Sequence, residues 1–216
     1  MTYSVKEIYY TLQGEGMHTG RPAVFLRFSG CNLWTGLEND RHKGSGGCAR
    51  WCDTNFVGTD GPGGGRFATA TQLADSVASL WPHAATSQCR RFVVCTGGEP
   101  LLQLDSGLLS AFEVRGFDVA AETNGTQTVP EGRLWLTVSP KANAPLRLTK
   151  GNELKLVYPQ EGVEPAEFAD LDFDHFFLQP LDGPQRAENT QRALNYCLAN
   201  PQWRLSLQTH KYIGIP

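Results

Sequence analysis

The sequence predicts an α/β fold, an incomplete (trimmed) TIM-like barrel of parallel strands with helices outside. Three observations carry this expectation. Short runs rich in β-branched and aromatic residues alternate with segments of helical periodicity, the pattern of parallel βαβ units. The helix expected between Val138 and Glu153 is missing, so the alternation falls short of a closed eight-fold ring. Residues of marked chemical character fall just after the strands, where parallel α/β folds build their sites.

The elements follow in order. Residues 1–8 alternate polar and apolar like a strand, and residues 23–28 form a strand entering a cysteine-bearing loop. Residues 58–65 are a loop by their glycine content. Residues 71–81 have helical periodicity, with Thr69 or Thr71 as the cap. A strand over 91–95 precedes a helix over 101–115. Further strands are expected at 117–121, 134–138, 153–157, 175–178 and 204–207, with a helix over 184–198. No internal repeat or linker divides the chain, so residues 1–216 form a single domain.

Hydrophobic residues at 40% and charged ones at 19% describe a soluble globular protein. A net charge of −3 argues against a broad nucleic-acid-binding surface. No apolar run approaches the ~20 residues a membrane span needs. The amino terminus lacks the continuous apolar stretch of a signal peptide, so the chain is expected in the cytoplasm. Its six cysteines are then free thiols or metal ligands rather than disulfides.

Cys31, Cys48 and Cys52 share one glycine-rich, irregular segment. Three thiolates are too few to close a tetrahedral zinc site, but they hold three corners of a 4Fe–4S cluster and leave one iron open as a reaction site. Cys89 and Cys197 read as incidental or buried thiols. Cys95 ends a strand beside a glycine motif and is the one other cysteine placed to serve as a ligand. That motif, Thr96-Gly97-Gly98-Glu99-Pro100, lets the backbone approach a ligand closely, although a plain strand-to-helix turn has the same composition.

A cysteine cluster after one barrel strand and Gly-Gly-Glu-Pro after the next resemble the radical S-adenosylmethionine superfamily. Several further motifs resemble the 7-carboxy-7-deazaguanine synthase family. The first are Tyr10-Thr11-Leu12-Gln13-Gly14-Glu15-Gly16, Arg27-Phe28-Ser29-Gly30-Cys31-Asn32-Leu33-Trp34 and Cys52-Asp53-Thr54. Later come Glu122-Thr123-Asn124-Gly125, Ser139-Pro140-Lys141, Leu178-Gln179-Pro180-Leu181-Asp182-Gly183 and Gln208-Thr209-His210-Lys211. The likeness runs from end to end in the family's order. One departure stands out: Ala49, Arg50 and Trp51 separate the last two cysteines, where the superfamily places two residues. The glycine-rich approach, residues 44–47, can absorb the extra one.

The resemblance implies that Cys31, Cys48 and Cys52 hold the 4Fe–4S cluster. It implies that Trp51, Cys52, Asp53, Gly98, Glu122, Asn124, Ser139, Pro140, Lys141, Gln179, Pro180, Leu181 and Asp182 bind S-adenosyl-L-methionine. Thr54 is implied as the protein ligand of Mg2+, which accepts hard oxygen donors. Leu12, Gln13, Gly14, Glu15, Arg27, Thr96, His210 and Pro216 are implied as the binding residues for a pterin substrate. Read from residues alone, Arg27 is a buried cation that needs a carboxylate, from an internal acid or from the substrate. The implied reaction turns 6-carboxy-5,6,7,8-tetrahydropterin into 7-carboxy-7-deazaguanine through a 5′-deoxyadenosyl radical that is regenerated. The implied partners are an electron donor such as flavodoxin and a second copy of the chain in a homodimer.

Two other readings fit parts of the pattern. One is a radical enzyme activating a partner protein, which needs an exposed docking groove. The other is a zinc-binding structural protein that recruits His42 as its fourth ligand. His18, His42 and His83 are otherwise expected to be solvated.

Overall fold

The computed structural model describes residues 2–82 and 90–216. Cys89 and His83 lie outside the described residues. The strands are β1 (Tyr3–Leu12), β2 (Pro22–Phe28), β3 (Gly65–Phe67), β4 (Arg91–Gly97), β5 (Phe117–Thr123), β6 (Trp135–Val138), β7 (Lys150–Tyr158), β8 (Asp172–Pro180) and β9 (Trp203–Leu205). They form one open sheet in the order β3-β1-β2-β4-β5-β6-β7-β8-β9. From β2 to β9 each neighbouring pair is parallel. β1 runs antiparallel to both β2 and β3, so one edge departs from the all-parallel expectation. The helices are α1 (Ala70–Ser79), α2 (Ser106–Val114), α3 (Arg186–Ala199) and the short α4 (Thr209–Ile213).

Strand alternation sorts the side chains onto two faces. Val24, Leu26, Phe28, Val93, Cys95, Val119 and Ala121 join Leu73 and Val77 of α1 and Leu108 and Phe112 of α2 in the main core. Leu154, Leu156, Phe176 and Leu178 form a second core with Ala193 of α3. The opposite parity supplies the inside of the curve. There Ala23, Phe92, Val94 and Ala120 pack as a small apolar floor. Farther along the same faces Arg27, Thr96, Glu122, Thr137, Lys155 and Gln179 open into a cavity.

The gap between β1 and the far strands is bridged by the turn after β1. The Gly16 N–H donates to Ser206 Oγ (2.9 Å) and the Met17 N–H to Glu153 Oε2 (3.0 Å). This turn also tucks His18 against Phe92 and Trp135, with ring centroids 4.9 and 4.4 Å away. His18 is therefore not solvated as expected, and burial lowers its pKa.

Thr69 caps α1, its hydroxyl accepting from the Gln72 N–H at 3.2 Å. The single helix expected over 101–115 is broken. A 3₁₀ turn, Pro100–Leu102, ends at Gln103, and α2 restarts where Asp105 accepts the Leu108 N–H at 2.8 Å. The capping carboxylate offers the backbone a better start than a continuous helix would. β3 and α4 are too short for a periodicity to reveal them. No helix among the described residues is long and apolar enough to cross a membrane.

Candidate active site

A cavity of about 870 Å³ lies at the carboxyl ends of the parallel strands. Cys31, Cys48, Cys52 and Thr54 line one part of it, Gly98, Asn124, Ser139 and Lys141 another, and Arg27, Glu15, His210 and Pro216 a third. One residue expected here does not line it. Pro140 is buried behind the wall, where its carbonyl accepts from Gln160 Nε2 at 3.3 Å.

The cysteine segment is short-range structure throughout. Gly47–Arg50 forms a 3₁₀ turn, and Cys48 O accepts from both the Trp51 N–H (3.0 Å) and the Cys52 N–H (2.8 Å). Burial pushes the Cys31 thiol up and the Cys48 thiol up to about 11, against the opposing pull of Lys141 on Cys48. At Cys31 and Cys48 the pocket by itself thus favours the thiol, and ligation there as thiolate would call for the positive charge of a metal. Among the described residues, no three His, Cys, Asp or Glu side chains converge on a single ion. His42 is exposed on the turn Glu38–Lys43 and does not line the cavity. Three soft donors set around one end of a cavity fit a 4Fe–4S cluster with one iron open. Cys95 faces the other way, fully buried in the main core, where burial raises its pKa.

The Gly-Gly-Glu-Pro motif has a double use. A Cβ on Gly98 would lie 2.2 Å from Gly30 O and 2.6 Å from Cys31 Cβ. The bare backbone thus lets the β4 exit lie against the cysteine loop. Glu99 is fully buried and turns away from the cavity. Its carboxylate accepts from the Leu101 N–H (2.9 Å), Thr123 Oγ1 (2.8 Å) and the Asn124 N–H (2.8 Å). Burial raises its pKa, and these bonds tie the exits of β4 and β5 together.

On the inner face Arg27 Nε pairs with Glu7 at 2.8 Å and Nη2 donates to Tyr9 OH at 3.1 Å. The internal ion pair foreseen for Arg27 therefore exists, and it fixes the guanidinium at the cavity wall. Lys155, with its side chain only 5% exposed, reaches Glu15 at 2.5 Å and Glu122 at 3.4 Å. Burial alone would pull this ammonium down, but Glu122, Glu15 and Glu153 outweigh it and hold it above its usual range. Burial would likewise raise Glu15, and Lys155 reverses that and holds it ionised. Gln13 Nε2 donates to Glu122 Oε1 at 2.9 Å, and Gln208 Nε2 to Glu15 Oε1 at 3.1 Å. Two carboxylates and two amides thus face the cavity in fixed orientations.

The carboxyl-terminal segment forms the rim. The Thr209 N–H donates to Gly14 O at 2.9 Å, and Thr11 Oγ1 donates to the terminal Pro216 oxygen at 3.1 Å. Lys211 Nζ stands between Asp53 (2.6 Å) and Asp182 (2.7 Å), two residues expected at the cofactor. A docking groove for a partner protein would have to open where this segment already lies. Lys155, Lys211 and Tyr9 were not foreseen as parts of the site. Inner-face parity marks Tyr9 and Lys155 only as inward-facing, and Lys211 closes the motif Gln208-Thr209-His210-Lys211 but carries no sign of its partners Asp53 and Asp182.

No family model matches the chain. Along its whole length it is 60% identical to the 7-carboxy-7-deazaguanine synthase of Bordetella pertussis and 59% identical to that of Caulobacter vibrioides, with all of each relative covered. It is 32% identical to the enzyme of the same name from Escherichia coli. The crystal structure of QueE from Escherichia coli aligns with a TM-score of 0.71 at 30% identity, over 97% of this chain and 95% of that one.

Proposed function

The chain belongs to the 7-carboxy-7-deazaguanine synthase family, and on that premise we propose that it converts 6-carboxy-5,6,7,8-tetrahydropterin into 7-carboxy-7-deazaguanine with release of ammonia. The reaction is a step of 7-deazapurine (queuosine-type) biosynthesis. The observation that carries the reading is one cavity that joins three thiols, an arginine, a shielded carboxylate pair and the chain terminus.

When bound, the cluster and S-adenosyl-L-methionine supply a carbon-centred radical able to remove a hydrogen atom. The chain's own residues bind and orient. Cys31, Cys48 and Cys52 hold the cluster. Gly98, Glu122, Asn124, Ser139, Lys141 and the stretch 179–182 hold the cofactor, with Trp51 and Asp53 beside the cysteines. Arg27, steadied by Glu7 and Tyr9, presents its remaining Nη1 edge to the substrate carboxylate. Thr54 supplies one hard oxygen to Mg2+ beside that carboxylate. Glu15, kept ionised by Lys155, reads the aminopyrimidine edge together with Gln13, backbone groups of Leu12 and Gly14, and the Pro216 carboxylate. Thr96 and His210 complete the substrate wall. The rim made by α4 and Lys211 excludes water and stray hydrogen donors. Reduction by a small electron donor such as flavodoxin and assembly as a homodimer complete the proposal. The described cysteines are free, in keeping with a reducing cytoplasm.

The test is anaerobic turnover by reconstituted protein given reductant, cofactor and 6-carboxytetrahydropterin. Formation of 7-carboxy-7-deazaguanine with one ammonia per product is expected. Cofactor cleavage without product would sink the assignment.

Two narrower results are expected. Thr54→Ala should lose most of the magnesium stimulation of turnover while cofactor affinity changes less than threefold. Equal stimulation in mutant and wild type would remove Thr54 as a ligand. Extending the chain beyond Pro216 by a short tag should raise the substrate KM by about tenfold or more, the scale of one charge-assisted hydrogen bond. Cluster content should stay unchanged. An amino-terminal tag of equal length serves as the control, and full activity of the carboxyl-tagged enzyme would refute the role of the terminal carboxylate.

A further inference from the structure

Arg41 sits on the turn Glu38–Lys43, in the stretch between Cys31 and Cys48. All three guanidinium nitrogens are engaged. Nε donates to Glu38 (2.7 Å), Nη1 to Ala49 O (2.7 Å) and Nη2 to Cys52 O (3.1 Å). Its Cζ lies 4.9 Å from the centroid of Trp34. Trp34 packs with Ala49 and Phe56 in a small core against which Cys31 and Cys52 lean.

The two carbonyls it binds belong to the arc that carries the closely spaced cysteines. That arc is closed by the bonds of Cys48 O, which serves two N–H groups. Ala49 O and Cys52 O remain as outward-facing acceptors, like the last carbonyls of a helix. A planar fork can take both at once, as an ammonium cannot. Close approach of the preceding segment is part of the same device. A Cβ on Gly44 would lie 2.4 Å from the Ala49 Cβ. The extra residue of this cysteine pair is thus absorbed as a clamped turn, with the glycines giving access to it.

We infer that Arg41 is a positioning residue for the cluster: its fork fixes the arc 48–52 so that Cys48 and Cys52 present their sulfurs together despite three intervening residues. This rests on the reading of Cys31, Cys48 and Cys52 as cluster ligands.

The test uses full-length protein before and after anaerobic reconstitution with iron and sulfide, comparing Arg41→Gln, Arg41→Lys and the control Lys43→Gln. Lys43 shares the turn but among the described residues pairs with Asp40 alone, and its side chain is 65% exposed. Hydrogen exchange of peptides covering 48–52 should be about tenfold faster in both Arg41 variants before any iron is added, the scale of losing charge-assisted bonds. After reconstitution and desalting they should retain less than half the wild-type iron. The electron paramagnetic resonance signal of the reduced cluster should broaden. Lys43→Gln should match wild type in all three. Unchanged exchange in Arg41→Gln, wild-type exchange in Arg41→Lys, or equal acceleration in Lys43→Gln would overturn the inference. Wild-type protein that takes up no iron would overturn the cluster reading instead, and the exchange result would still decide the clamp.

Discussion

Replacing any one of Cys31, Cys48 or Cys52 with alanine should abolish cluster retention and all turnover. On the proposed ligand set each would hold one corner, and among the described residues no other thiol lines the cavity. Cys95 is the only candidate substitute by position in the sequence, but it is fully buried in the core behind β4. Cys95→Ala and Cys197→Ala should therefore keep their iron and turn over. Iron and acid-labile sulfide per chain, measured after anaerobic reconstitution, decide the matter. Loss of iron from Cys95→Ala with retention in Cys48→Ala would show that the ligand set has been drawn from the wrong loop.

The second large effect is expected at Lys155. Lys155→Met keeps an unbranched side chain one atom shorter and removes the ammonium that pairs with Glu15 and Glu122 and acts on Glu153. Breaking a buried pair by deleting one partner costs about 3–5 kcal/mol, because the orphaned carboxylates stay buried. The sign of the pH dependence follows from the shifts. Lys155 is raised, so its contribution is present at neutral pH and lost only as pH rises through its folded value. Glu15 is depressed, so its contribution is present above the ordinary carboxylate range and lost as pH falls through its folded value. In the variant Glu15 loses the main charge that holds it ionised and becomes easier to protonate. The gap in Tm between wild type and Lys155→Met should thus be widest near neutral pH and narrow as the pH drops below about 4. A gap that is constant across this range would mean that packing rather than charge is lost. Lys155→Arg should recover part of the stability but raise the substrate KM, since a larger cation displaces Glu15.

Much of the fold could be read in advance, because its signals are local. Short apolar runs over residues 23–28 and 91–95 placed those strands, and of the two threonines offered as the cap of α1 it is Thr69 that serves. Most of the site motifs were readable because they lie at or just past a strand end, whereas Cys48 and Cys52-Asp53-Thr54 sit far beyond the end of β2 at Phe28 and were read from their cysteines. What escaped depends on partners distant in the chain. Inner-face parity shows that Lys155 points inward, but its ion pair with Glu15 spans 140 residues. Lys211 meets Asp53 across 158 residues. Arg41 looks like one more charge in a polar loop, since beyond its neighbour Glu38 its partners are backbone carbonyls with no side-chain signature. The break in the helix over 101–115 turned on one carboxylate, Asp105, choosing to cap instead of facing solvent.

Thr11 and Pro216 meet across 205 residues, nearly the full length of the chain. The consequence concerns synthesis. Chains emerge amino end first, and domains start to fold before the last residue is joined. β1 and its glycine turn can exist early, but the wall they share with His210 and Pro216 cannot form until that stretch has been synthesised and has left the ribosome. Contacts of such long range also close slowly, because the loop entropy must be overcome first. A chain whose residues 208–216 are absent or still held back can therefore resemble the folded protein across most of its sheet and yet lack one side of its cavity.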